Sequence, residues 1–147
     1  MEQARIIPQR ARQAAEQAAQ LLARDSRVRL VYLFGSAADA KRVACRDVDV
    51  AVLTDKPLST DERLQLRADV ASAVHVNVDL VLLNDAPVVL AYEVAETGRC
   101  LYARDPDAEV EFITRARARY WDFKPFVETQ WRLTGKRLQE RIDGSPP

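Results

Sequence analysis

Three aspartates and a Gly-Ser pair are the residues of this chain whose types and spacing could do chemistry. Asp47 and Asp49 flank Val48, so on a strand both carboxylates point to one face. Asp79 sits within another apolar run, Val78 to Leu83. Charges on a core-facing side are costly unless they meet cations, a ligand or hydrogen-bond donors. Metal is the natural answer. Mg²⁺ prefers oxygen ligands and usually binds through one or two carboxylates together with substrate phosphates and waters. Two ions roughly 4 Å apart can activate an attacking oxygen and steady a departing pyrophosphate. In that arrangement Asp49 bridges both ions, Asp47 completes the nucleotide side, and Asp79 completes the nucleophile side and accepts the hydroxyl proton.

Gly35-Ser36 follows a buried run and precedes Asp47 by about ten residues. Glycine lets the backbone turn and lets phosphate approach closely. The Ser36 hydroxyl and neighbouring backbone N–H groups can hold phosphate oxygens. An ordinary strand-to-helix turn capped by Ser36 is the plainer reading, as a solvated strand end is for Asp47-Val48-Asp49 alone. Neither a Walker loop nor a Rossmann fingerprint is present: Lys41 lacks the glycines that GxxxxGK[ST] requires.

These residues must be positioned by regular elements. Residues 9–25 carry alanines and leucines at helical spacing. Val28 to Phe34 reads as a strand stopped by Gly35. Asp47 to Leu53 reads as a second, with Val48, Val50 and Val52 on one face and Asp47, Asp49, Ala51 and Leu53 on the other. Ser59 and Glu62 fit a capping box that opens a helix reaching Val74. Val76 to Leu83 is the third strand, on which Asn77, Asp79 and Val81 share a face. A sheet order that sets this strand beside 47–53 brings the three acids together. Ala86-Pro87 opens a short helix through Glu96, and Gly98 stops it. Cys100 to Tyr102 is a short edge strand. Asp107 to Tyr120 and Pro125 to Ile142 read as two final helices, and 144–147 as a frayed tail. The alternation implies an α/β fold with a small sheet.

Charge and composition narrow the classes. With 147 residues the chain fits one domain, and 22 basic against 22 acidic residues give no net charge, unlike a dedicated nucleic-acid binder. Arg115, Arg117 and Arg119 follow Asp105, Asp107, Glu109 and Glu111, as the dipole of a helix favours. No run approaches the ~20 apolar residues that cross a bilayer, and no signal core opens the chain, so a cytoplasmic protein is expected. Cys45 and Cys100 match no zinc spacing. His75, among valines, reads as a structural or surface residue. Trp121 and Trp131 read as packed within the molecule, with partner anchoring by the aromatic cluster Trp121, Phe123, Phe126 and Trp131 as the other reading.

Gly35-Ser36, the interval, Asp47-x-Asp49 and Asp79 together resemble the nucleotidyltransferase superfamily that includes DNA polymerase beta. The segments 78–87 and 96–102, with Tyr120, Asp122, Lys124 and Pro125, resemble the minimal nucleotidyltransferase antitoxins of HEPN/MNT toxin–antitoxin systems. The resemblance implies a single nucleotidyltransferase domain over 1–147: a small mixed sheet flanked by helices, a core at about 9–120, and a C-terminal helical segment at about 121–143. It implies Asp47, Asp49 and Asp79 as catalytic metal ligands and Gly35 and Ser36 as phosphate contacts; Arg46, just before the first acid, is a candidate nucleotide contact that either stays near the triphosphate or points to solvent. Mg²⁺ (two ions) and ATP would be the cofactor and substrate. The implied activity is transfer of AMP from ATP to a tyrosine hydroxyl of a HEPN ribonuclease toxin, in a hetero-oligomeric complex without direct nucleic-acid or membrane contact. Ala37, Ala40 and Arg46 depart from the family pattern, in which other residue types stand at those positions. Neutralisation by stoichiometric binding alone, and transfer to a small molecule of aminoglycoside type, stay open as alternatives.

Overall fold

A computed structural model describes residues 6–39 and 47–142. Arg46, Ala40, Lys41, Cys45 and the tail from 143 therefore lie outside the described residues. The elements are α1 (Pro8–Ala23), β1 (Val28–Phe34), β2 (Val48–Thr54), α2 (Thr60–Ala73), β3 (Val78–Leu82), α3 (Val88–Thr97), β4 (Arg99–Ala103) and α4 (Pro106–Ile142). The strands form one mixed sheet in the order β3-β2-β1-β4. β1 is antiparallel to both β2 and β4, whereas β2 and β3 run parallel, with α2 as the crossover.

Alternation along the strands creates two apolar faces. Val31, Leu33, Val48, Val50, Val52, Leu80 and Leu82 pack with α1 and α2. Leu30, Tyr32, Phe34 and Ala51 pack on the other side with Ala91 and Val94 of α3 and Ala108, Phe112 and Ala116 of α4. The sheet is thus the middle of three layers, and the face that carries Asp49 is the one beneath α3 and α4.

Local chemistry fixes the ends of these elements. Ser59 Oγ accepts from the Glu62 amide at 3.2 Å, and the Glu62 carboxylate accepts from the Ser59 amide at 2.9 Å, completing the expected capping box. α3 ends at Gly98, where only glycine fits, since a Cβ there would meet the Val94 carbonyl and the Tyr32 ring. Beyond β3, the Asn84 side chain takes over the pairing with β2. Its Oδ1 accepts from the Thr54 amide at 3.0 Å and hydroxyl at 3.1 Å, and its Nδ2 donates to the Thr54 carbonyl at 2.7 Å.

The C-terminal part differs from the sequence expectation. One helix, α4, runs continuously through Pro125 instead of stopping at Tyr120 and restarting. Proline removes one intrahelical N–H bond and crowds the carbonyl four residues before it, but Tyr120 already anchors the preceding turn by stacking on Tyr92 with ring centroids 3.8 Å apart. Arg115, Arg117 and Arg119 consequently stand mid-helix, away from the negative end of the dipole; the first-turn acids Asp107 and Glu109 do occupy its positive end. The two tryptophans are exposed, Trp121 by 59% and Trp131 by 72%, because α4 outruns the domain before Trp131 and turns Trp121 to its outer side, where Lys124 lies over the ring at 4.6 Å. His75 is exposed, as read from the sequence, and Cys100 is a free half-buried thiol. No helix among the described residues is long and apolar enough to cross a membrane.

Asn84→Ala leaves the buried Thr54 backbone groups without their partners, so it should cost about 2–3 kcal/mol. Ser59→Ala, at an exposed cap, should cost about 1 kcal/mol. Thermal unfolding of the two variants should show the first melting several degrees below the second.

Candidate active site

β2 and β3 pair in parallel with Val48 against Val78 and Asp49 against Asp79. The sheet order that the sequence left conditional is therefore the observed one. Adjacent strands stand about 4.8 Å apart, so the two carboxylates leave the same face of the sheet side by side. Asp47 stands just before β2, opposite Asn77, whose Nδ2 donates to its Oδ1 at 2.7 Å. That hydrogen bond holds the third carboxylate beside the pair and draws it along the strand edge.

Gly35 completes the arrangement from β1. Phe34 is the partner of Asp49 across the antiparallel β1–β2 ladder, so the next residue turns directly over that carboxylate. Gly35 has φ +70°, and a Cβ on it would collide with the Asp49 carboxylate. Both the left-handed backbone and the close approach require glycine here. Ser36 follows in a short 3-10 turn, Gly35–Ala38, which no side chain caps.

The carboxylates repel one another. Asp49 is pushed up to about 6, first by burial and then by the negative charges of Asp79, Asp47 and Glu93. Glu93, on α3, is an acid that sequence reasoning passed over. It belongs to no strand motif, and only the packing of α3 on this sheet face brings its charge to bear on Asp49. Asp79 is exposed and Asp49 half-buried, which makes the outer carboxylate the more accessible to an approaching acceptor. Among the described residues, no three acids, histidines or cysteines converge into a preformed metal cage.

The polymerase beta, nucleotidyltransferase family matches residues 16–107, a stretch that spans Gly35, Ser36 and all three aspartates and ends at the start of α4. A similar curated protein is the protein adenylyltransferase MntA of Shewanella oneidensis, 36% identical over 84 residues, which are 57% of this chain. The matched stretch spans 60% of that relative's length. Among solved structures, a crystal structure of a toxin–antitoxin with AMP-PNP aligns at TM-score 0.62 and 28% identity, over 79% of this chain and 98% of the other. A re-refined structure of the tri-AMPylated Shewanella oneidensis HEPN toxin in complex with MNT antitoxin aligns at TM-score 0.60 and 26% identity, over 82% and 98%.

Two outcomes follow from this geometry. Gly35→Ala should destabilise the protein by more than about 1 kcal/mol, because alanine must adopt a positive φ and displace Asp49; chemical denaturation reads this directly. Asp49 has a folded-state value of about 6 against an ordinary 3.8, so the folded protein binds its proton more tightly than the unfolded chain. The stability linked to this group is full below pH ~4 and is lost as the pH rises through ~6. In metal-free protein, Asp49→Asn should therefore raise stability at pH 8 by on the order of 1–2 kcal/mol, allowing for partial exposure, and change it little at pH 4.

Proposed function

The chain belongs to the polymerase beta nucleotidyltransferase family, and from that premise we propose that it is a Mg²⁺-dependent protein adenylyltransferase of the antitoxin kind. It transfers AMP from ATP to a tyrosine hydroxyl of a HEPN ribonuclease toxin and so neutralises it. The observation that carries this reading is the in-register pair Asp49 and Asp79 beneath the Gly35 turn. Its similarity to the adenylyltransferase MntA and to toxin–antitoxin structures supports the choice of nucleotide and acceptor.

The donor set fits magnesium. Two facing carboxylates, with Asp47 beside them, are hard oxygen ligands whose mutual repulsion a divalent cation relieves. A closed protein cage is not needed, because Mg²⁺ usually completes its shell with phosphates and waters. In this reading Asp47, Asp49 and Asp79 would hold the metal, Asp47 toward the nucleotide and Asp79 toward the acceptor. The metal, when bound, supplies Lewis acidity at the α-phosphate and neutralises charge on the departing pyrophosphate.

The chain's own groups do the rest. Gly35 and Ser36 hold phosphate oxygens through backbone N–H groups and the Ser36 hydroxyl. Asp79, on the open side, takes the proton of the partner's tyrosine as its oxygen bonds to the α-phosphorus. The bond from that phosphorus to the bridging oxygen breaks, and pyrophosphate leaves with the electron pair.

Transfer from α-labelled ATP with Mg²⁺ in host-cell extract tests this. Native protein should label one small protein on tyrosine, and Asp47→Asn/Asp49→Asn should reduce labelling by a factor of about 10³ or more. No label in an extract shown to contain the HEPN protein would overturn the proposal in favour of neutralisation by binding alone.

A further inference from the structure

Beyond Asp49 on the same sheet face, the far end of β2 helps enclose a cavity of about 310 Å³ between the sheet, α3 and α4. Leu53, in its wall, stands four residues beyond Asp49, or about 13 Å along the strand. None of Gly35, Ser36, Asp47, Asp49 and Asp79 lines it.

Three arginines converge there: Arg29 from β1, and Arg115 and Arg119 from α4. The last two are four residues apart and therefore neighbours on one helix face. The acids at the rim are already engaged. Asp55 accepts two hydrogen bonds from Arg104, each 2.8 Å long, and Glu111 accepts one from Arg29 Nη2 at 2.9 Å. Arg115 and Arg119 make no ion pair or hydrogen bond among the described residues. Arg29 Nε is buried without a hydrogen-bond partner, and Asp55 Oδ1 stands 3.7 Å from it. Arg117, on another face of the helix, is spent on Glu96 at 2.5 Å.

Two guanidinium forks without a protein partner, at a cavity of mixed polar and apolar lining, have the chemistry that binds a phosphoryl group. The volume is at the lower end of those that take small molecules. We infer that this cavity is a second binding site, for a small phosphate monoester of nucleoside monophosphate size. Its phosphoryl group is held by Arg115 and Arg119, and its organic body lies against Leu83 and Phe112. The site does not depend on the adenylyl-transfer reading, since its residues and its ligand contacts are separate from the carboxylates.

Isothermal titration of the full chain in EDTA, with AMP, adenosine and inorganic phosphate as probes, tests the inference. AMP should bind at least about tenfold more tightly than adenosine, and Arg115→Gln/Arg119→Gln should weaken it at least about tenfold. Asp47→Asn/Asp49→Asn should leave AMP affinity unchanged. Inorganic phosphate binding as tightly as AMP, with the same arginine dependence, would overturn the monoester, because the organic body would then add nothing. AMP binding that survives the arginine changes but falls with the aspartate changes would overturn the inference, as would absence of AMP and phosphate binding at millimolar concentration. Both arginines are exposed, and an unchanged melting curve verifies that the variant folds.

Discussion

Asp49 and Asp79 stand side by side only because β2 and β3 run parallel in a single register, and that register brings like charges together instead of separating them. A slip of one residue would turn Asp79 to the opposite face and carry Leu80 and Leu82 out of the core. The apolar alternation opposes such a slip. Val48, Val50, Val52, Leu80 and Leu82 are each almost wholly buried, and each contributes on the order of 1.5–3 kcal/mol. Against that sum the carboxylate repulsion is small; after burial, it adds to the upward displacement of Asp49. The Asn84–Thr54 clamp continues the same register past the last residue of β3.

The layer arrangement gives the acids their setting. With α1 and α2 filling one face of the sheet, α3 and α4 are left to cover the other only partly. Asp49 is thereby half-buried and Asp79 open. Gly35 closes over the inner carboxylate from β1, so the turn, the first acidic strand and the parallel neighbour meet at one corner of the sheet. Burial and charge rise toward Asp49, while access to a large acceptor is kept on the side of Asp79.

Much of this corner was legible in the sequence because it is written locally. Alternation placed Asp47 and Asp49 on one face of a strand, a glycine stopped the strand before it, and Ser59 with Glu62 marked a helix start. The partnership of Asp79 with Asp49 was only conditional, since strand order is decided by long-range packing that no spacing records. Glu93 was hidden for the same reason: its charge reaches Asp49 through the docking of a separate helix. At Pro125 local chemistry misled: the helix, its first half fixed to α3, continues despite the lost N–H bond and the crowded carbonyl. The tryptophans misled in the opposite sense, their size suggesting burial that α4 does not provide.

α4 would measure about 55 Å at the usual helical rise, yet its buried residues are Ala108, Phe112 and Ala116. The two halves therefore belong to different thermodynamic regimes. The first melts with the domain, because its unfolding exposes the core. The second, carrying Pro125 and Gly135 with nothing within 4 Å of a Cβ, must persist by intrinsic helicity and neighbouring side-chain pairs such as Lys124–Glu128, which leaves a free helix marginal in water. Its amides open by fraying rather than by global unfolding. Along one unbroken helix, backbone protection falls from that of a folded core to that of a peptide.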